Sequence, residues 1–513
     1  MYMQTIVFTD TERIATKYQT TKGVVLSLID RNLLSRTDEE FLLLDAADYQ
    51  EELSQNSTWE GYKEILTDFF AGMGIVPCSK LSLFIMGGDD VIPMPRVQNP
   101  IGFDEPLHSD FLYCFKDYPL TALNADTALC NVGRLPLENG ELKTSIVEDL
   151  QSYFNLAGMM LGSGIDVESV LMTSTQSWLP ASNEMVKGLP IESPYPIANA
   201  ANDRMYVSPQ LDLEDRYVTN YYKQNLEQAD LLMFNLHGAD YPGYSSFYGE
   251  GAEGHNTPEA FNIDMLRYSN ARIFNTVACF GARFIGYERN DSMLLSAMYG
   301  GGVMLYSGSC TSALGRSGQY HVAAQDILIP TGMSESFMKL YTLYLFGGAS
   351  AGEAFLRAKC DYFNTCRSLD GDEEAMATVL MFNLYGLPTL HVNQKHVVTD
   401  EGRGLKRALP IRKSTRAFKV LYQNNDGKEK SLLADVQMKV DRNLMMIRKT
   451  IENKLYSYWG LNPSNVYQID QVLENNLPKG YRFEYQMKGS FFNQRTWAYT
   501  DTVGNIKDVI HTK

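Results

Sequence analysis

The chain has 513 residues, 44% apolar and 12% aromatic, with a formal charge of −16. That is the composition of a packed protein of two or three domains, not of a disordered chain. The acidic balance (pI about 5.0) argues against a nucleic-acid or membrane-surface role, since both need a basic face.

The opening MYMQTIVFTDTER has no basic stretch, apolar run or small-residue cleavage site, and reads as a strand rather than a signal peptide. No apolar run reaches the ~18 residues that span a bilayer. Strands are expected at Thr5–Phe8, Val24–Ile29, Phe41–Leu44, Leu81–Met86 and Ala128–Val132, and helices at Trp59–Gly72 and Glu141–Leu156. After the glycines of 161–164, strands follow at Ser169–Thr173, Leu231–Leu236, Arg272–Val277 and Val303–Tyr306. Helices are expected at Glu214–Glu227, Pro258–Tyr268, Ser292–Tyr299, Ser334–Phe346 and Ala351–Phe363. Alternation of this kind means α/β: mostly parallel sheets covered on both faces, here as two side-by-side subdomains, 1–162 and 163–395. A basic linker (396–420) follows, with seven Lys or Arg over 403–419, and reads as a solvated connection, a processing site or a patch for an acidic partner. The remainder, 421–513, has a helical pattern at Ala434–Trp459 and alternating runs at Tyr481–Met487 and Thr496–Thr502, as a small α+β domain would.

Seven cysteines, Cys78, Cys114, Cys130, Cys279, Cys310, Cys360 and Cys366, are scattered without CxxC spacing. An odd, scattered set suits neither a disulfide framework nor a zinc site, and a reducing cytoplasm is the expected compartment. No metal and no cofactor is expected.

Two strand ends carry the chemistry. DLLMFNLHG stops at His237–Gly238, and RIFNTVACFG stops at Ala278–Cys279. Open parallel sheets gather ligands beyond the carboxyl ends of their strands. The two positions are 42 apart, room for one crossover, so the strands can be neighbours ~4.8 Å apart. A thiolate is a strong nucleophile, and an imidazole can take its proton and later return it to a leaving group. Gly238 leaves a backbone N–H open to a substrate oxygen, and a helix start after Cys279 would favour the thiolate. Taken singly, each residue has a bland reading, the cysteine as a small core hydrophobe and the histidine as a hydrogen-bonded strand end. Cys310 is the competing nucleophile and His255 the competing base; His108 and His321 lack a comparable setting.

With these strand ends in view, the chain resembles the caspase/gingipain/separase clan of cysteine peptidases, and gingipain-like enzymes within it. The resembling segments come in the family's order over roughly residues 80–392: LFIMGGDDVIPMP at 83–95, HSDFLY at 108–113, NVGRLP at 131–136, GGGVMLYSGS at 300–309 and FNLYGLPTLHV at 382–392. The resemblance implies a cysteine endopeptidase acting through a Cys279 thioester, with His237 as acid and base. The amides of Gly238 and Cys279 would form the oxyanion hole, and Leu305–Ser309 would flank the residue before the cut. Tyr306, Ser307, Gly308, Gln176 and Glu184 are the implied pocket residues; Asp110 and Asp240 are further acids considered. Leu387 stands where the family has Asp, Leu236 where it has Gly, and Gln176 where Arg-specific members have an acid. The implied substrate is a protein or peptide, cut in limited or regulated fashion, with a regulatory partner engaging the C-terminal domain and no nucleic acid or membrane. The alternatives are a non-catalytic peptide-binding scaffold of the same fold, or another thiol-dependent acyl transferase or amidase.

Overall fold

The computed structural model describes residues 4–117, 123–137, 146–186, 189, 205–208, 216–239, 244–250, 258–316, 333–393, 416–423, 442–459, 461–474, 477–488 and 493–512. They fall into two compact units, 1–313 with 322–405, and 314–321 with 406–513. The strands, in chain order, are β1 (Gln4–Thr9), β2 (Glu40–Asp45), β3 (Ser82–Met86), β4 (Arg96–Val97), β5 (Leu107–His108), β6 (Asn131–Leu135), β7 (Val170–Thr175), β8 (Met205–Ser208), β9 (Leu231–Asn235), β10 (His237–Gly238) and β11 (Ser246–Tyr248). They continue with β12 (Glu259–Asn262), β13 (Ile273–Thr276), β14 (Leu305–Ser309), β15 (Leu314–Arg316), β16 (Phe382–Gly386), β17 (Arg416–Gln423), β18 (Val466–Glu474), β19 (Leu477–Lys488), β20 (Asn493–Asp501) and β21 (Ile506–Thr512).

The first unit is α/β, built on one ten-stranded sheet in the order β2-β1-β3-β6-β16-β14-β13-β9-β7-β8. β1, β2, β3 and β6 of the expected 1–162 subdomain and β7, β8, β9, β13, β14 and β16 of 163–395 share this one sheet. In one half β2, β1, β3, β6 and β16 run parallel. β14 lies antiparallel to β16, and β13, β9, β7 and β8 follow its direction. The carboxyl ends of the two halves therefore open on opposite edges of the sheet. The inner strands β3, β6, β9, β13, β14 and β16 are buried throughout, as a sheet covered on both faces requires.

Two expectations are corrected. Val24–Ile29 lies in a helix, Lys22–Ile29, not a strand. The Thr21 hydroxyl accepts from the Val24 N–H at 3.3 Å, and Val25, Leu28 and Ile29 bury one helical face. Pro258–Tyr268 is not one helix. Its first part is β12, paired with β11 with Phe247 opposite Phe261, and only Ile263–Tyr268 turns, as a 3-10 helix. Phe261 is drawn into an aromatic cluster with Phe234, Phe247 and Phe274, and that burial outweighs the local pattern.

The second unit is a six-stranded antiparallel sheet, β15-β21-β20-β19-β18-β17, with the helix Arg442–Trp459 on one face. Leu444, Ile451 and Leu455 of that helix pack with Ile469, Tyr481, Phe483, Tyr485, Ala498 and Val509. Its edge strand β15 comes from far upstream in the chain, Leu314 pairing with Thr512 and Arg316 with Ile510. The expected linker ends inside a strand, since Arg416–Val420 belong to β17; 396–415 lie outside the described residues.

Among the described residues, no helix is long and apolar enough to cross a membrane, and no group of three or more His, Cys, Asp or Glu could hold a metal ion. All seven cysteines are unbridged.

Candidate active site

β9 and β13 are adjacent and in parallel register, Phe234 opposite Thr276, and the Val277 N–H donates to the Phe234 carbonyl at 3.0 Å. Just past these strand ends lie His237 and Cys279, with the backbone of Gly238 against that of Cys279. After Asn235 the chain leaves the large sheet, and His237–Gly238 start a small antiparallel sheet, β10-β11-β12. Aromatic rings fix that small sheet on the large one. Phe234 of β9 meets Phe247 of β11 at 5.5 Å and Phe261 of β12 at 4.6 Å. Phe274 of β13 stacks on Phe234 at 4.7 Å and on Tyr306 of β14 at 4.6 Å.

Gly238 and Cys279 touch through their backbones. A Cβ on Gly238 would lie 1.6 Å from the Cys279 carbonyl oxygen and 3.1 Å from its nitrogen. Any side chain at 238 would drive the two strand ends apart. The glycine is thus demanded by close approach, a reason different from the open N–H that the sequence offered.

No helix follows Cys279. The chain turns through Phe280, in the left-handed region at φ 55°, and the next helical turn is Arg289–Asp291. A backbone amide stands in for the expected helix dipole. The Ala313 N–H donates to Cys279 Sγ at 3.1 Å, and the Ala313 carbonyl lies 3.6 Å from the same sulfur. An N–H aimed at sulfur favours the thiolate, while the bond from the thiol to the Ala313 carbonyl favours the neutral form. The turn is anchored by the Phe280 N–H to the Thr311 carbonyl (2.8 Å), the Ala282 N–H to the Ser309 carbonyl (2.8 Å), and the Tyr306 hydroxyl to the Gly281 carbonyl.

His237 faces a carboxylate. Its Nε2 is 3.5 Å from Glu250 Oε1. The other carboxylate oxygen accepts from the Ser177 N–H at 3.1 Å and the Ser177 hydroxyl at 2.7 Å. Burial works to raise the Glu250 pKa, but the hydrogen bonds and charge of His237 and the bonds from Ser177 outweigh it, so the carboxyl titrates below its ordinary range. The Trp178 ring lies 4.5 Å from the His237 ring. Cys279 is 3% and His237 4% exposed.

The other expected site residues are placed as follows. Tyr306 is buried, its ring on Phe274 and its hydroxyl on the turn after Cys279. Ser307 is buried with its hydroxyl donating to Asn275 Oδ1 at 2.8 Å. Gly308 leaves room for Thr276, whose Cγ2 would lie 2.9 Å from a Cβ there. Gln176 is exposed directly after β7, its N–H on the Ser208 carbonyl at 3.0 Å. Glu184 lies on the helix Leu179–Val186, and its side chain is outside the described residues. Asp110 is not a pocket acid: it forms a buried two-point pair with Arg134, both bonds 2.7 Å. Cys310 is buried against the Tyr385 hydroxyl at 2.7 Å, and burial pushes its pKa up to about 12, the opposite of an activated thiol. Asp240, His255 and His321 are outside the described residues.

The sequence reading missed Glu250 and Ala313. Ala313 acts through its backbone, which no residue type reveals. Glu250 had one faint signal: in the β10–β11 hairpin Tyr248 pairs with His237, and Glu250 follows two residues on.

No family model matches the chain, and no curated protein matches it. A solved structure described as "Structure of Protease" is similar over 99% of this chain and 97% of that one, at 12% identity and a TM-score of 0.46. A likeness so distant assigns neither fold nor activity, so the functional reading rests on the site itself.

Proposed function

We propose that the chain is a cysteine endopeptidase of caspase-like, gingipain-related type, with Cys279 as nucleophile and His237 as acid and base. The observation that supports the reading is the backbone contact of Gly238 with Cys279, just beyond two adjacent parallel strands, at the positions that follow and carry the candidate base and nucleophile.

The chemistry follows from the groups present. His237 takes the thiol proton, and the Ala313 N–H supports the resulting thiolate. The sulfur attacks the carbonyl carbon, and the C=O electron pair moves to oxygen, where the amides of Gly238 and Cys279 would receive it. The tetrahedral intermediate collapses with loss of the amine, to which the imidazolium gives its proton, leaving a thioester. His237 then deprotonates a water that attacks the thioester. The acid is released and the thiol is restored. No step needs a metal or an organic cofactor. The strand Leu305–Ser309 is the proposed neighbour of the residue before the cut.

The near-complete burial of Cys279 and His237 supports limited or regulated cleavage rather than open digestion. The 421–513 region is the proposed docking point for a regulatory partner, and a reducing cytoplasm the proposed compartment. Incubating unfolded protein substrate with wild type, Cys279→Ala and His237→Ala tests the proposal. Cleavage by the wild type that both substitutions abolish supports it. Cleavage that survives Cys279→Ala refutes it.

A further inference from the structure

The residue after the candidate nucleophile is bent into a conformation that side chains resist. Phe280 has φ 55°, in the left-handed region, where glycine and asparagine sit easily and an aromatic residue is an outlier. Its backbone is fixed on both sides. The Phe280 N–H donates to the Thr311 carbonyl at 2.8 Å, and its carbonyl accepts from the Arg283 N–H at 2.9 Å. The turn needs this conformation, but it does not need the ring. The core does not claim the residue either, since Phe280 is half-buried.

The ring lies among others. Phe280 meets Tyr244 at 5.5 Å, and Tyr287 meets Tyr244 edge-on at 4.7 Å. Tyr244 is buried, while Tyr287, like Phe280, is half-buried. The backbone holds Tyr244 in place: its N–H donates to the Asp291 carbonyl at 3.2 Å, and its carbonyl accepts from the Met293 N–H at 2.8 Å. The Arg283 guanidinium, 6.0 Å from the Tyr244 ring centre, is already engaged by Glu105 at 3.0 Å and by the Cys310 carbonyl at 3.1 Å.

We propose that Phe280, Tyr244 and Tyr287 form a subsite for the residue just after the scissile bond, and that this subsite takes a large apolar or aromatic side chain. This rests on the Cys279–His237 reading above.

Position gives the side of the cut. β13, which leads to Cys279, lies between β14 and β9, and β9 leads to His237. The residue before the cut is assigned to the β14 side. The leaving amine takes its proton from His237, so the chain after the cut runs off on the other side. Tyr244 belongs to that side, since it leads into β11, whose Tyr248 pairs with His237. Phe280 follows Cys279 directly, with the two Cα atoms ~3.8 Å apart. Chemistry gives the occupant. Aromatic faces and edges favour apolar and aromatic partners. A carboxylate there would lose water beside three rings and compete with Glu105 for Arg283. Strain kept at a reactive turn, with a bulky residue where glycine would be easier, fits a side chain that is used.

The test uses the full-length protein and peptides built on the sequence it cuts best in a proteome-derived library. The peptides differ in the residue after the cut: phenylalanine, leucine, alanine or aspartate. Phe280→Asn removes one ring and leaves a residue that tolerates the left-handed region. Tyr287→Ala removes a second ring from a half-buried position. The wild-type kcat/KM for phenylalanine or leucine is expected to exceed that for alanine by about tenfold or more. That ratio is expected to fall toward one in both variants, with the residue preferred before the cut the same in each. If Phe280→Asn does not fold, Tyr287→Ala reads the same ratio. Equal values for phenylalanine and alanine in the wild type, or a ratio that neither substitution moves, would overturn the subsite and leave the peptidase reading standing. A change in the residue preferred before the cut would put the rings on the wrong side, and overturn it as well. A wild type that cuts no peptide would refute the peptidase reading, and the subsite with it.

Discussion

The backbone of Gly238 lies against that of Cys279 with no room for one more carbon: a Cβ at 238 would meet the Cys279 carbonyl oxygen at 1.6 Å. The contact is between backbones, so no side-chain adjustment can relieve it. Gly238→Ala is expected to cost about 2–4 kcal/mol in a denaturant titration and to abolish cleavage. Cys279→Ala is expected to abolish cleavage at near wild-type stability. Equal stability of Gly238→Ala and wild type would show that the two strand ends are not packed in this way.

Lys359 is buried, and burial drives its pKa from 10.5 down to about 7. Its ammonium donates to the Phe382 carbonyl at 2.7 Å and lies 4.4 Å from the Phe111 ring centre. Below about 7 both folded and unfolded chains hold the proton, and the fold bears the full cost of a buried charge. Between about 7 and 10.5 the unfolded chain holds a proton that the folded chain has released, so stability rises with pH across that window. Chemical denaturation of wild type and Lys359→Met at pH values from about 6 to 9 is expected to show a gap that moves in favour of the wild type as pH rises. A gap independent of pH would contradict the buried-lysine account.

Asp110 and Arg134 are both almost fully buried, and the guanidinium also donates to the Gly87 and Ile92 carbonyls at 3.0 and 2.9 Å. Removing the charge from one partner leaves the other uncompensated. Asp110→Asn is expected to lower stability by about 3–5 kcal/mol without changing which peptide bonds are cut. A change in the residue preferred before the cut, with stability intact, would return Asp110 to the substrate pocket.

The C-terminal unit takes its edge strand β15 from Leu314–Arg316. A fragment of 406–513 alone would leave the β21 edge unpaired, a template for association. It is expected to self-associate in analytical ultracentrifugation, and adding a peptide spanning 312–318 is expected to reduce that association. A monodisperse fragment indifferent to the peptide would show that β15 adds nothing to this sheet.

The buried strands were legible wherever apolar runs of four to six residues stood between polar turns, as in Leu231–Asn235 and Ile273–Thr276. That legibility placed His237 and Cys279 on neighbouring strand ends. Short apolar runs also misled. Val24–Ile29 has the residues of a strand, and only the cap at Thr21 marks it as helix. Pro258–Tyr268 has helical spacing, but Phe261 is held by rings on strands distant in sequence. The reversal of direction between β14 and β16 has no local signature, since it depends on which edges meet. Glu250 is one acid among several in a glycine-rich stretch. Its place beside His237 is set by Ser177 and Ser208, more than 40 residues upstream.

The most direct test of the central claim is a mass-spectrometric digest of a proteome-derived peptide library, wild type against Cys279→Ala. The account predicts peptides cut by the wild type alone, at bonds that share a preferred preceding residue. A basic preference would assign Glu184 to the pocket. A library left whole by the wild type, with Cys279 alkylated by iodoacetamide no faster than a free thiol, would contradict it.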